Sequence, residues 1–263
     1  MTVADYHVHT RFSDGKNTAE EMLRAAMDAG LSEFGFSDHA HMPHDESWCM
    51  KAGDDEKYRA EIARLREKYA GKINVLCGIE QDYFSDTPVD AYDYVIGSVH
   101  YVLADGEYIP VDESADALRR GADAHFGGDL LALCEAYYAE VADVAGRTGA
   151  TVIGHFDLIT KFNEQTPMIN TADPRYVAAW QRAVDRLLPY GIPFEINTGA
   201  ISRRKRTTPY PAADIISYIA AHGGKFILCG DTHASDTIAY QFDRFRPLAG
   251  NALLRTLPAR RGK

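Results

Sequence analysis

The stretch VADYHVH at residues 3–9 decides the reading, because an apolar run climbs to two histidines, His7 and His9, spaced two apart. Residues two apart on a strand share a face, so both imidazoles point the same way and can chelate one ion. The event repeats along the chain. FGFSDH (34–39) ends in Asp38 and His39, VLCGIEQD (75–82) contains Glu80, VIGSVH (95–100) ends in His100, TVIGHFD (151–157) contains His155, and ILCGDTH (227–233) supplies Asp231 and His233. In a parallel barrel the carboxyl ends of the strands meet on one face, so these residues are expected to converge into a metal-dependent hydrolase site. A carboxylate such as Glu80 among apolar strand residues is costly to bury unless it is paired or bound to metal. Asp14, in the loop after the first run, is placed to reach a neighbouring ion.

Working outward, short apolar runs alternate with amphipathic stretches from end to end, the pattern of βα units around a parallel sheet. Strands are expected at 3–8, 33–38, 73–79, 92–99, 150–155, 192–197 and 225–230, and helices at 18–29, 55–69, 129–147, 174–189, 211–222 and 235–246. Thr18 with Glu21 reads as a capping box, Gly30 as a helix stop, and Asp173-Pro174 as an N-cap followed by proline at the first helical position. Two connections, 40–54 and 101–128, are long enough to be substrate loops leaving the ligand-bearing face. With 263 residues, 46% of them hydrophobic, and no repeat or linker, the chain is expected to form one domain over 1–263.

The net charge of −10 argues against a non-specific grip on nucleic acid and makes a small anion a better guess than a long one. Cys49, Cys77, Cys134 and Cys229 show no close pairing and read as reduced core residues. The start MTVADYHVHT has neither a basic n-region nor an apolar h-region, and no segment is long and apolar enough to span a membrane, so a cytoplasmic location is expected.

The layout HVHT, Asp14, SDH, Glu80, His100, His155 and DTH resembles the polymerase and histidinol phosphatase (PHP) family of metal-dependent phosphoesterases over nearly the whole chain. The resemblance implies a distorted seven-stranded (β/α)7 TIM-like barrel with a trinuclear site. Its ligands would be His7, His9, Asp14, His39, Glu80, His100, His155, Asp231 and His233, with Glu80, Asp231 and His233 also counted as catalytic. Some relatives carry His where Asp14 stands. Six neutral imidazoles and three carboxylates give −3, and three divalent ions leave about +3 for a bridging hydroxide and a phosphate dianion. Mixed N and O donors point to Zn, Mn or Fe without choosing among them.

The sixth expected strand, PFEINTG (193–199), brings no ligand but is followed by Arg203, Arg204, Lys205 and Arg206. Arginine donates in a fork that matches phosphate oxygens. EINTG followed by arginine and PYP, with HFDLITKF (155–162), resembles the histidinol-phosphatase branch of the family, which implies hydrolysis of L-histidinol phosphate. By that resemblance Arg203 is the first choice for phosphate, Arg206 the second, and Lys161 a support. His41 and His44 are candidates to approach the leaving alkoxide or an amino group, while His125 and His222 receive no role. Other readings stay open: another PHP substrate such as a nucleotide or phosphotyrosine protein, an amidohydrolase-like hydrolase, or a binding module without catalysis.

Overall fold

A computed structural model describes residues 4–258; the chain ends at 1–3 and 259–263, with Val3 of the first expected strand, lie outside the described residues. The chain runs β1 (Ala4–Asp5), α1 (Ala19–Asp28), β2 (Glu33–Phe36), α2 (Asp55–Lys68), β3 (Asn74–Asp82), β4 (Tyr94–Ser98), β5 (Tyr101–Ala104), β6 (Glu107–Pro110), α3 (Ala115–His125) and α4 (Leu130–Thr148). It continues with β7 (Val152–Ile153), α5 (Pro174–Leu187), β8 (Phe194–Asn197), α6 (Gly199–Ser202), α7 (Ala213–Ala221), β9 (Phe226–Cys229) and α8 (Phe242–Phe245). Seven strands form one parallel sheet in the order β1-β2-β3-β4-β7-β8-β9. Its edges come together where Val8 bridges Thr232: His9 N donates to Thr232 O at 2.9 Å and Thr232 N to His7 O at 2.9 Å. The result is a nearly closed, distorted seven-stranded α/β barrel.

Alternation along the strands sorts side chains into two layers. Phe34, Phe36, Ile79, Val95, Phe194, Ile196 and Phe226 point outward into two cores beneath the helices. Tyr6, Tyr94, Ile96, Val152, Ile227 and Cys229 fill the barrel interior. The Tyr94 ring crosses that interior and its hydroxyl donates to the carbonyls of Tyr6 and Phe36. A Cβ on Gly78 would stand 2.2 Å from that ring, so only glycine fits there. Above this plug, interior positions turn polar. Glu80 and Asp82 of β3, Ser98 of β4, and Glu195 and Asn197 of β8 are buried at the carboxyl ends.

The helix punctuation is realised locally. Thr18 and Glu21 exchange both capping-box bonds, Gly30 follows α1 at φ 78°, and the Asp173 side chain accepts from Arg175 N ahead of α5. All four cysteines are buried and unpaired. Among the described residues no helix is long and apolar enough to cross a membrane.

Three expectations need correction. Residues 101–128 are not an irregular loop: Tyr101–Pro110 pair as the antiparallel β5–β6 hairpin and α3 follows, capped by Ser114, so His125 ends a helix. The helix expected at 235–246 is broken into a single turn at Ser235–Thr237 and the four-residue α8, because Ala239 and Gln241 take positive φ. The third strand runs on to Asp82 rather than stopping at residue 79, which places Glu80 within the sheet.

Candidate metal centre

Four overlapping groups of close donors sit at the carboxyl end of the barrel: His9/Asp14/His39/His233, His7/Glu80/His155, His7/His9/Asp231 and His39/Glu80/His100. Together they contain nine residues, the same nine named from sequence, and no other. They come from the ends of β1, β2, β3, β4, β7 and β9 and from the loop after β1. All but Asp14 and His233 are buried.

Glu80 is the hub. Its Oε2 lies 3.0 Å from His7 Nε2 and 2.8 Å from His39 Nδ1, and its Oε1 lies 3.0 Å from His155 Nε2 and 2.6 Å from the Ser98 hydroxyl that donates to it. Burial alone would push this carboxyl up, but the imidazoles of His39 and His7 outweigh it and hold Glu80 well below the ordinary carboxylate range. Asp231 is likewise held down against burial, by Arg203 and His7. Its backbone has φ 46°, a conformation that Asp tolerates better than most residues and that aims its carboxylate at His9, 3.3 Å away. Asp14 Oδ2 stands 3.2 Å from His233 Nε2.

These donors suit divalent transition metals. His7 Nε2, both ring nitrogens of His9, and Glu80 Oε2 are buried without a hydrogen-bond partner, which is costly for groups that only accept or need a proton to donate. A cation satisfies several such atoms at once, and mixed imidazole and carboxylate donors are the set that such metals prefer.

Side chains behind the donors fix their rings. Glu195 Oε1 is 2.7 Å from His7 Nδ1, and Asp82 Oδ2 is 3.0 Å from His100 Nδ1. Burial would depress His100, but the Asp82 contact and the Glu80 charge push it up to about 9. The Asp38 carboxylate accepts from Thr10 N, Thr10 Oγ1 and Ser13, pinning the turn that carries Asp14.

In front of the donors opens a cleft of about 500 Å³. Arg203 and Lys161 line it. Arg203 leans on Asp231, its Nη2 donating to Oδ2 at 2.9 Å, and Lys161 Nζ donates to Asp112 Oδ2 at 2.9 Å. Despite burial, Lys161 and His100 hold the Asp112 carboxyl down at about 2. The opposite character comes from the 40–54 loop and the hairpin. Trp48 Nε1 donates to Tyr101 OH at 2.9 Å, and that hydroxyl donates to Asp45 at 2.8 Å, while the indole stands edge-on to His39.

The remaining basic and histidine candidates lie elsewhere. Arg206 is buried away from the cleft, donating to Thr160 Oγ1 at 2.6 Å with its guanidinium over the Tyr210 ring. The arginine run forms the turn that follows α6, and Arg204, at φ 57°, is exposed beside exposed Lys205. His41 pairs with Glu46 at 2.7 Å and His44 stacks on Tyr108, and neither lines the cleft. Sequence reading passed over Glu195, Asp82, Trp48, Asp45, Tyr101 and Asp112. A buried acid at an inward strand position was the available signal for the first two; the other four lay in flagged connections with nothing local to single them out.

A parallel barrel with a shared imidazole and carboxylate cluster at its carboxyl end defines a metal-dependent hydrolase class. Residues 5–199 match the PHP domain family, and the chain belongs to it. A relative from Deinococcus radiodurans named probable histidinol-phosphatase is 32% identical over 255 residues, covering 91% of this chain and 90% of that protein. The structure of a candidate histidinol phosphatase from Listeria monocytogenes superposes with a TM-score of 0.78 at 17% identity, covering 92% of this chain and 99% of that one. A histidinol phosphate phosphatase from Lactococcus lactis, solved with zinc, L-histidinol and phosphate, superposes with a TM-score of 0.71 at 20% identity, covering 95% and 94%.

Proposed function

We propose that this chain, as a single barrel domain, is a metal-dependent phosphomonoesterase that hydrolyses L-histidinol phosphate to L-histidinol and phosphate. The observation that carries the chemistry is the cluster of nine donors at the floor of a cleft that also presents Arg203 and Lys161. The substrate rests on the curated relative's name and on the two-sided character of the cleft.

The nine donors would hold three divalent ions, Zn, Mn or Fe, with Glu80 shared between groups. Ions bound there lower the pKa of water and screen the negative charge of a phosphate. Everything else falls to side chains of the chain. Arg203 and Lys161 supply N–H donors to the phosphate oxygens, and Asp112 keeps Lys161 aimed. Asp231 and His233 hold the guanidinium of Arg203 at the cleft wall. Trp48 shields the His39 and His100 rings from bulk water. The wall of Trp48, Tyr101 and Asp45 offers an aromatic face and a carboxylate, the complement of an alcohol bearing an imidazole and an ammonium group. The P–O bond to that alcohol breaks as water provides the new oxygen.

The test is a steady-state comparison of metal-loaded protein on histidinol phosphate, a nucleoside monophosphate, phosphotyrosine and an aryl phosphate, each with and without chelator. Histidinol phosphate should lead in kcat/KM by about 100-fold or more, the scale of one or two charge-assisted contacts to the alcohol. Chelator should abolish turnover. Equal rates on all four esters, or a lead for phosphotyrosine, would overturn the substrate assignment.

A further inference from the structure

The barrel strand that brings no metal donor carries the most connected buried acid behind the cluster. Glu195 is 1% exposed, in the middle of β8. Its Oε1 lies 2.7 Å from His7 Nδ1, and its Oε2 accepts from His155 N at 3.0 Å and from Asn197 Nδ2 at 3.0 Å. His7 and His155 belong to one donor group with Glu80. One carboxylate therefore sets the ring of the first and the backbone of the second.

Asp82 has the same relation to a different group. Its Oδ2 accepts from His100 N at 2.9 Å and stands 3.0 Å from His100 Nδ1, and His100 belongs with His39 and Glu80. In both pairs Nδ1 faces the carboxylate. With an ion bound, the carboxylate would keep the proton on Nδ1 and leave the lone pair of Nε2, which lies 3.0 Å from Glu80 in His7 and 3.6 Å in His100, for the metal.

We propose that Glu195 and Asp82 are positioning residues that each tune one ion of the cluster: Glu195 the one held by His7, Glu80 and His155, and Asp82 the one held by His39, Glu80 and His100. The inference rests on the metal reading and is independent of the substrate. Its physical basis is that every partner of Glu195 is a donor. An amide in place of the carboxylate has one accepting oxygen and one donating nitrogen, so Glu195→Gln must turn its NH2 toward either His7 Nδ1 or the donors of His155 and Asn197. Either choice tilts a ligand or moves the His7 proton to the nitrogen needed for the metal.

The experiment loads full-length wild type, Glu195→Gln and Asp82→Asn with zinc, measures affinity by competition with a chromophoric chelator, and locates the ions by anomalous scattering in crystals. The melting temperature of each metal-free protein serves as the readout of folding. Each variant should lose about 10- to 100-fold in affinity for one ion, the usual effect of removing such a partner. Occupancy should fall at the His7/Glu80/His155 position in Glu195→Gln and at the His39/Glu80/His100 position in Asp82→Asn. Wild-type affinity in both variants, or a uniform loss at all positions that tracks a lower metal-free melting temperature, would overturn the assignment. Should Glu195→Gln not fold, the position lost in Asp82→Asn decides the shared principle. Wild type that binds no zinc at all would instead remove the metal reading itself.

Discussion

The donor cluster and the outer wall of the cleft meet at His39 and Trp48 yet are built in opposite ways. Eight of the nine donors stand at or just past the ends of parallel strands, where ladder hydrogen bonds and two buried helix-facing cores fix the backbone. The wall stands on the 40–54 connection and the β5–β6 hairpin, where Asp45 and Tyr101 hold each other by hydrogen bonds and Leu103 and Tyr108 remain exposed at 43% and 39%. Rigid strand ends suit groups that must meet within a few tenths of an ångström. Connections suit groups that select a substrate, because they change without disturbing the ladder.

The difference makes the cluster intolerant and the wall adjustable, and the first way to break it is Glu80→Gln. The amide lacks the charge that five neighbouring imidazoles share, so turnover should fall by roughly 10³-fold while the fold persists. Metal content by mass spectrometry, turnover and circular dichroism check this together. A variant with full metal content and near-normal turnover would make Glu80 structural.

Arg203→Ala probes the join between the two regions. Loss of its phosphate contact should cost about 2–4 kcal/mol in kcat/KM. Since Arg203 also clamps Asp231, metal affinity should weaken in the same variant. Exposed Arg204→Ala should cost under about 1 kcal/mol. Equal small effects from both would place the phosphate elsewhere.

On the wall itself, Trp48→Ala and Asp45→Asn should raise KM for histidinol phosphate by about 10-fold, with kcat for a small aryl phosphate changed less than about threefold, as expected for uniform binding of the alcohol. Parallel losses on both esters would show that the wall supports the cluster rather than the substrate.

The smallest effect belongs to Glu140 on α4, whose Oε1 accepts from Leu103 N near the turn of the hairpin while Oε2 is buried without a partner. Burial raises its carboxyl to about 8. The unfolded chain ionises near 4.5 and the folded chain near 8, so Glu140 makes stability fall as pH rises through that window. Glu140→Gln should leave the melting temperature nearly unchanged at pH 5 and raise it at pH 8.5. A pH-independent difference would show that the group is ionised in the fold throughout.

Strand ends announce themselves locally. An apolar run closing on His or Asp is visible within six residues, which is why His7, His9, His39, Glu80, His100, His155, Asp231 and His233 could be read directly, and why the parallel barrel followed from their common end. The hairpin escaped because YVLADGEYIP alternates only weakly and lies inside a long connection. The 235–246 helix failed because nothing local signals that Ala239 and Gln241 take positive φ.

Residue identity and spacing thus determined which side chains are candidate donors and which ends of the strands they share, since period-two alternation is a property of the chain alone. Tertiary structure decided how those donors pair and what stands behind and before them. Glu195 reaches His7 across 188 residues, Trp48 meets Tyr101 across 53, and Arg206 turns inward to Thr160 across 46. Such contacts depend on barrel closure and on loop paths, and these are set by the packing of the whole chain, which no local window contains.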